Sequence, residues 1–132
     1  NTKTVAYIPG EIIPTHKFYD YEAKYTDPNG AELKIPADLN ETQRKTIRET
    51  AIKAYEALDL SGLSRVDFFI DKRTGKIYLN EVNTIPGFTS ISMFPKMCGA
   101  SGLPYNELIM HLIELAIDRF KTDRKLKTCR QS

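Results

Sequence analysis

Apolar residues recur at helical spacing in two stretches of the chain and alternate with polar residues in the stretch between them. Ile47, Ala51, Ala54, Tyr55 and Leu58 repeat at the three-to-four-residue interval of one helix face. Asn40 with Gln43 three residues later forms a capping box ahead of them, and Ser61-Gly62 is the expected stop. A second helix is expected over Tyr105 to Phe120, where Leu108, Ile109, Leu112, Ile113, Ala116, Ile117 and Phe120 make a wide apolar face. Both helices are expected to form core. Between them, "SRVDFFIDKRTGKIYLNEVN" holds two alternating runs joined by a polar turn with Gly75, the pattern of an antiparallel hairpin. Nearer the start, Thr4 to Pro14 alternates weakly and is interrupted by Pro9, Gly10 and Pro14, which suggests short edge strands. The sum is an α+β chain with a largely antiparallel sheet flanked by helices.

Register decides what the hairpin can do, because a slip of one residue sends every side chain to the other face. In the first run Val66, Phe68 and Ile70 share one face, and Arg65, Asp67 and Phe69 share the other; in the second, Ile77, Leu79, Glu81 and Asn83 share a face. A three-residue loop Arg73-Thr74-Gly75 sets Lys72 across from Lys76. Phe69 then faces Leu79, Asp67 faces Glu81 and Arg65 faces Asn83. Two carboxylates directly across a strand pair repel. Either both point into solvent on an exposed sheet, or they share a divalent cation, for which the oxygens of Asp67, Glu81 and Asn83 suit Mg²⁺ or Mn²⁺. Arg65 favours the second reading, since its planar fork beside such a cluster suits phosphate. Downstream, Gly87 can bring a backbone N–H close to a reacting oxygen. Thr89, Ser90 and Ser92 can hold a carboxylate or cap a short helix beginning near Met93.

Composition narrows the partners. With 132 residues, 41% of them hydrophobic and 27% charged, the chain has the make-up of one globular domain. No apolar run is long enough to span a bilayer, and no basic, apolar-cored leader heads "NTKTVAYIPG", so no membrane partner and a cytoplasmic location are expected. Formal net charge is only +2, and the basic excess of "FKTDRKLKTCRQS" reads as a solvated end rather than a nucleic-acid site. Cys98 and Cys129 form no CxxC and are expected as free thiols; His16 and His111 stand alone. A further stretch, "KFYDYEAKYTDPNGAELKIPADL", interleaves Tyr19, Tyr21 and Tyr25 with Asp20, Glu22 and Lys24 ahead of the turn signal Asp27-Pro28-Asn29-Gly30. It reads as a loop with functional freedom or as a loop that packs its own aromatics.

The stretches "FYDYEAKY", "IPADL", "GLSRVDFF", "IYLNEVNTIPGFTSISMFPKM" and "LPYNELIMHLIELA", in that order from about Ile8 to Ile117, resemble the D-alanine–D-alanine ligases of the ATP-grasp superfamily. The resemblance implies that residues 1–132 are the C-terminal part of an ATP-grasp domain, with a mobile lid over 15–36 and a metal-binding hairpin over 64–83. It implies that Asp67, Glu81 and Asn83 hold two Mg²⁺ (or Mn²⁺) ions bridging ATP phosphates, Glu81 being shared. Arg65 and the Gly87 backbone would stabilise an acyl phosphate and the adduct formed from it. Ser92 and the Met93 backbone would hold the carboxylate of the second amino acid. Lys24, Tyr25 and Tyr21 would close from the lid over phosphates and substrate, and Phe69 and Asn80 would lie near the adenine.

The implied reaction joins two D-alanines through a D-alanyl phosphate for peptidoglycan, with a homodimer as the full-length form. Such ligases are more than twice this long, so the chain is expected to be a part that is inactive without its N-terminal portion. "YEAKY" resembles the dipeptide-forming ligases more than those using D-lactate; a D-serine or D-lactate ligase and a non-catalytic nucleotide- or metal-binding module are the alternatives.

Overall fold

A computed structural model of the chain describes residues 3–14, 31–89 and 91–125. Lys24, Tyr21, Tyr25, Ser90, His16 and Cys129 lie outside the described residues. Strand β1 (Glu11–Pro14) pairs antiparallel with β2 (Ala31–Lys34), Glu11 opposite Lys34 and Pro14 opposite Ala31. The two strands therefore hold together the two ends of segment 15–30. The last part of the expected lid, Ala31–Lys34, is strand rather than loop.

Helix α1 (Glu41–Ala57) begins as its sequence predicts. Asn40 Oδ1 accepts from the Gln43 N–H at 2.8 Å while the Asn40 N–H donates to Gln43 Oε1 at 3.2 Å, so two N–H groups at the helix start are satisfied reciprocally. Its end comes earlier than Ser61-Gly62. Asp59 adopts a left-handed φ of 49°, its N–H donates to Glu56 O at 3.1 Å, and the Leu60 N–H reaches Tyr55 O at 3.2 Å. That pair of bonds is a Schellman stop, and Asp is among the few residue types other than Gly that tolerate the backbone it requires.

Strands β3 (Arg65–Ile70) and β4 (Ile77–Asn83) form a second two-stranded antiparallel sheet. Helix α2 (Met93–Ala100) and helix α3 (Tyr105–Lys125) complete the order. The core lies where these helices meet: Phe94, Cys98 and Leu108 are buried, with Tyr7, Leu63, Phe88, Leu103 and Leu112 packed on them. Phe88 touches both Phe94 and Tyr105, at ring separations of 6.2 and 5.5 Å, and the Tyr105 hydroxyl donates to Phe88 O. The expectation that all of the apolar face of α3 forms core is met only at its start. Ile113, Ile117 and Phe120 are exposed along with Met110, and Ile47 is the buried residue of α1.

The segment leading into β1 is stitched to α2. The Ile8 N–H donates to Ser101 Oγ at 2.9 Å, and the Gly10 N–H meets Met97 Sδ at 3.3 Å. Glycine fits closely at position 10: a Cβ there would lie 2.5 Å from Met93 Cε, the end of a flexible side chain that would have to shift, and 3.0 Å from Ile35 Cγ1.

Two substitutions test this framework by urea denaturation. Asn40→Ala removes one arm of the capping box and is expected to cost about 1 kcal/mol. Gly10→Ala overpacks the β1–α2 contact and is expected to cost about 1–3 kcal/mol, with the loss partly recovered when Met93 is also shortened to Val.

Candidate functional site

The hairpin reaches its expected pairing by two departures that cancel. The turn is a residue longer than expected: Ile70 pairs with Ile77, the Asp71 N–H bonds Lys76 O at 2.9 Å, and Lys72 does not oppose Lys76. Asp71 Oδ1 organises this turn by accepting from the N–H groups of Arg73 and Thr74 at 2.8 and 2.7 Å. Those bonds, Thr74 first, lower the Asp71 pKa below its ordinary value. Gly75 supplies the left-handed position, with φ 71°. Phe69 accordingly faces Tyr78, not Leu79. Then β4 carries an extra residue, Asn80, at a bulge between the Phe68–Leu79 and Asp67–Glu81 pairs. The bulge restores the register, so Asp67 faces Glu81 and Arg65 faces Asn83.

The bulge also corrects the expected faces. Ile77 and Leu79 lie with Val66, Phe68, Ile70 and Val82, whereas Glu81 and Asn83 lie with Arg65, Asp67, Phe69 and Tyr78. One side of the hairpin is thus wholly apolar. The other carries the candidate chemistry.

On that side Arg65 clamps Asp67. Its Nε and Nη2 donate to Oδ1 and Oδ2 at 2.8 and 2.9 Å, and Nη2 lies 3.7 Å from Glu81 Oε1. The Arg65 and Asp67 side chains are only 26% and 30% exposed, so the bidentate pair is partly shielded and stronger than a surface ion pair. The guanidinium offsets part of the repulsion between the facing carboxylates, one positive charge against two negative ones. The donor set suits a divalent cation. Asp67, Glu81 and Asn83 present oxygens from one face; the Glu81 side chain is 53% exposed, and among the described residues its Oε1 makes a long 3.7 Å contact with Arg65. The Asn83 amide oxygen accepts the Ile85 N–H at 3.0 Å, which fixes its orientation and leaves a second lone pair. Among the described residues no three His, Cys, Asp or Glu gather for a metal; the third oxygen donor here is an amide.

The connection from β4 to α2 forms the second part of the site. Pro86 is buried and Phe88 is held by the core, so exposed Gly87 sits between two anchored neighbours with its backbone presented outward. A Cβ at Gly87 would lie 3.0 Å from Ser92 Oγ. Ser92 is the N-cap residue of α2 but makes no capping bond; its hydroxyl turns back to accept the Thr89 N–H at 3.0 Å and pairs with Thr89 Oγ1 at 2.8 Å. The third helical position is Pro95, which has no N–H to offer a cap. Gly87, Ser92 and Met93, the first residue of α2, are therefore together.

Phe69 is 63% exposed on the Asp67 face, and Asn80 is exposed at the bulge. Sequence reasoning missed Tyr78, which lies opposite Phe69 beneath the Lys76 ammonium, 5.0 Å from its ring centroid. It also missed Thr89 as the partner of Ser92, although the Thr-x-x-Ser spacing was a signal.

Mixed α+β structure with these elements is the C-terminal part of the ATP-grasp fold found in carboxylate–amine ligases. Residues 1–114 match the family described as D-ala D-ala ligase C-terminus, and the chain belongs to that family. It is 99% identical over its full length to a D-alanine–D-alanine ligase of Treponema denticola, covering 36% of that protein. Its structure is similar to that of the D-alanine–D-alanine ligase of Coxiella burnetii, with a TM-score of 0.77, 45% identity, and coverage of 92% of this chain and 30% of that one. It is also similar to the ligase of Bacillus anthracis complexed with ATP, with a TM-score of 0.64, 29% identity, and coverage of 71% and 32%. The chain spans about a third of the length of the relatives it matches. No helix of the described residues is long and apolar enough to cross a membrane.

Cys98, fully enclosed beneath this site, is a free thiol whose pKa burial pushes up to about 11. Because the fold disfavours the thiolate, this contribution to stability is full below pH 9.0, the ordinary thiol value, and is lost as pH rises toward about 11. Iodoacetamide at pH 8 with peptide mapping is expected to leave Cys98 unmodified in the native protein and to alkylate it in urea.

Proposed function

We propose that the chain is the C-terminal part of an ATP-dependent D-alanine–D-alanine ligase and carries the phosphate-facing side of its active site. One observation carries this reading: Asp67 faces Glu81 across the hairpin, Arg65 bridges them, and Asn83 lies on the same face. Asp67, Glu81 and Asn83 would hold two Mg²⁺ or Mn²⁺ ions, with Glu81 common to both; bound there, the ions neutralise the phosphate charge of ATP.

The carboxylate of one D-alanine attacks the γ-phosphorus of ATP, giving D-alanyl phosphate and ADP. The amine of a second D-alanine then attacks that carbonyl carbon and inorganic phosphate leaves. Arg65 would meet charge spreading over the transferred phosphoryl oxygens, and the exposed Gly87 backbone would meet the oxyanion. Ser92 and the Met93 backbone, at the start of α2, would hold the carboxylate of the second amino acid with the help of the helix dipole. Phe69, Asn80 and Glu81 line the nucleotide side.

Lys24, Tyr25 and Tyr21 take their roles from the family resemblance: Lys24 toward the phosphates, Tyr25 and Tyr21 toward the substrate. Support for a lid comes from β1 and β2, which hold together the ends of the segment carrying them. Excluding water protects an acyl phosphate from hydrolysis. The N-terminal portion of the ligase would complete the site, a homodimer is the expected full-length form, and the cytoplasm is the compartment where ATP meets peptidoglycan precursors. D-Alanine as the second substrate rests on "YEAKY", with D-serine and D-lactate as competitors to be tested.

In the intact ligase, Glu81→Gln is expected to cut phosphate release from ATP with D-alanine by at least about a hundredfold, with unchanged circular dichroism. Near-wild-type turnover would remove Glu81 from the site. Chromatography of products from mixed D-alanine, D-serine and D-lactate is expected to yield D-alanyl-D-alanine as the main species, and the 132-residue chain alone is expected to release no phosphate.

A further inference from the structure

Arg65 occupies both oxygens of Asp67 and leans on Glu81, the two carboxylates whose oxygens a divalent cation would need. A guanidinium and a divalent cation cannot hold the same carboxylate edge at once, since like charges a few ångströms apart repel strongly where solvent screens poorly. We propose that Arg65 is the resident counter-ion of the cation site, which a divalent cation must displace from Asp67 in order to bind. The inference rests on the reading of Asp67, Glu81 and Asn83 as cation ligands, and adds to it an exchange between two kinds of positive charge.

The geometry explains what the exchange accomplishes. Asp67 faces Glu81 directly, and without a positive charge between them the pair would strain β3 against β4. Arg65 relieves this. It also competes with a cation for Asp67 until nucleotide phosphates bring further oxygen ligands with their own negative charge. Once displaced from Asp67, the same guanidinium stands beside the loaded site, where its planar fork suits phosphate oxygens. Metal and nucleotide would therefore enter together.

The test is nucleotide-free Mn²⁺ binding to the intact ligase, followed by electron paramagnetic resonance of unbound Mn²⁺. Arg65→Gln is expected to bind Mn²⁺ about tenfold tighter than wild type, because a competing charge beside the site is gone. Arg65→Lys, which keeps the charge but loses the two-pronged grip, is expected to fall between them. Thermal melting gives a second readout: Arg65→Gln is expected to melt below wild type without metal and to recover most of that difference with Mn²⁺.

In ¹⁵N-arginine-labelled wild type, the Arg65 Nε–H resonance is expected to move on Mg²⁺ addition with the same midpoint as Mg²⁺ binding. Arg65→Gln binding Mn²⁺ no tighter than wild type, or an Arg65 resonance indifferent to Mg²⁺, would overturn the exchange and leave Arg65 as a strut for Asp67. Glu81→Gln separates the two levels. If it abolishes Mn²⁺ binding while Arg65→Gln changes nothing, the exchange alone fails; if no variant binds Mn²⁺ at the hairpin, the ligand reading fails with it.

Discussion

The site depends on one electrostatic constraint: two carboxylates, Asp67 and Glu81, face each other across a strand pair and must share a positive charge. In the structure that charge is Arg65, which grips Asp67 with two short bonds and reaches toward Glu81. Everything else in the hairpin serves to keep this triad in register. The wholly apolar opposite face resists a slip, since a one-residue shift would turn Val66, Phe68, Ile70, Ile77 and Val82 outward. Asp71 and Gly75 define the turn, and the Asn80 bulge brings Glu81 back to Asp67.

Positioning of the second part of the site follows from packing rather than charge. Phe88 is held between Phe94 and Tyr105, and Pro86 is buried, so the loop after β4 cannot drift from the core. Gly87 is thereby pressed close to Ser92, whose hydroxyl ties the loop through Thr89. Gly10, inserted against Met93 and Met97, joins the base of the β1–β2 pair to the same helix. The start of α2 is thus the point where the loop after β4, the core and the segment leading into β1 converge.

Much of this was legible in the sequence. The Asn40–Gln43 capping box could be read because its two side chains and their helix lie within one local stretch. The Asp67–Glu81 and Arg65–Asn83 pairs could be named, yet by a route in which a longer turn and a bulge compensate each other. A bulge is stabilised by the fit of both strands to their surroundings, and no single residue announces it; Asn80 is an ordinary polar letter in an alternating run. The stop of α1 at Asp59 was hidden for a similar reason, since Gly62 offered the more familiar signal a few residues on. The Arg65–Asp67 bond was not legible, because a sequence shows that an arginine lies near an acid without showing that the two are bonded. The exposed stripe of Met110, Ile113, Ile117 and Phe120 shows that periodicity marks a face without showing what covers it.

The most direct test of the central claim is a crystal structure of the intact ligase with Mn²⁺ and a non-hydrolysable ATP analogue, with anomalous differences recorded at the manganese edge. The account predicts anomalous density within coordination distance of Asp67, Glu81 and Asn83, with Arg65 turned from Asp67 onto phosphate oxygens. Manganese bound elsewhere, with the Arg65–Asp67 pair intact beside the nucleotide, would contradict it.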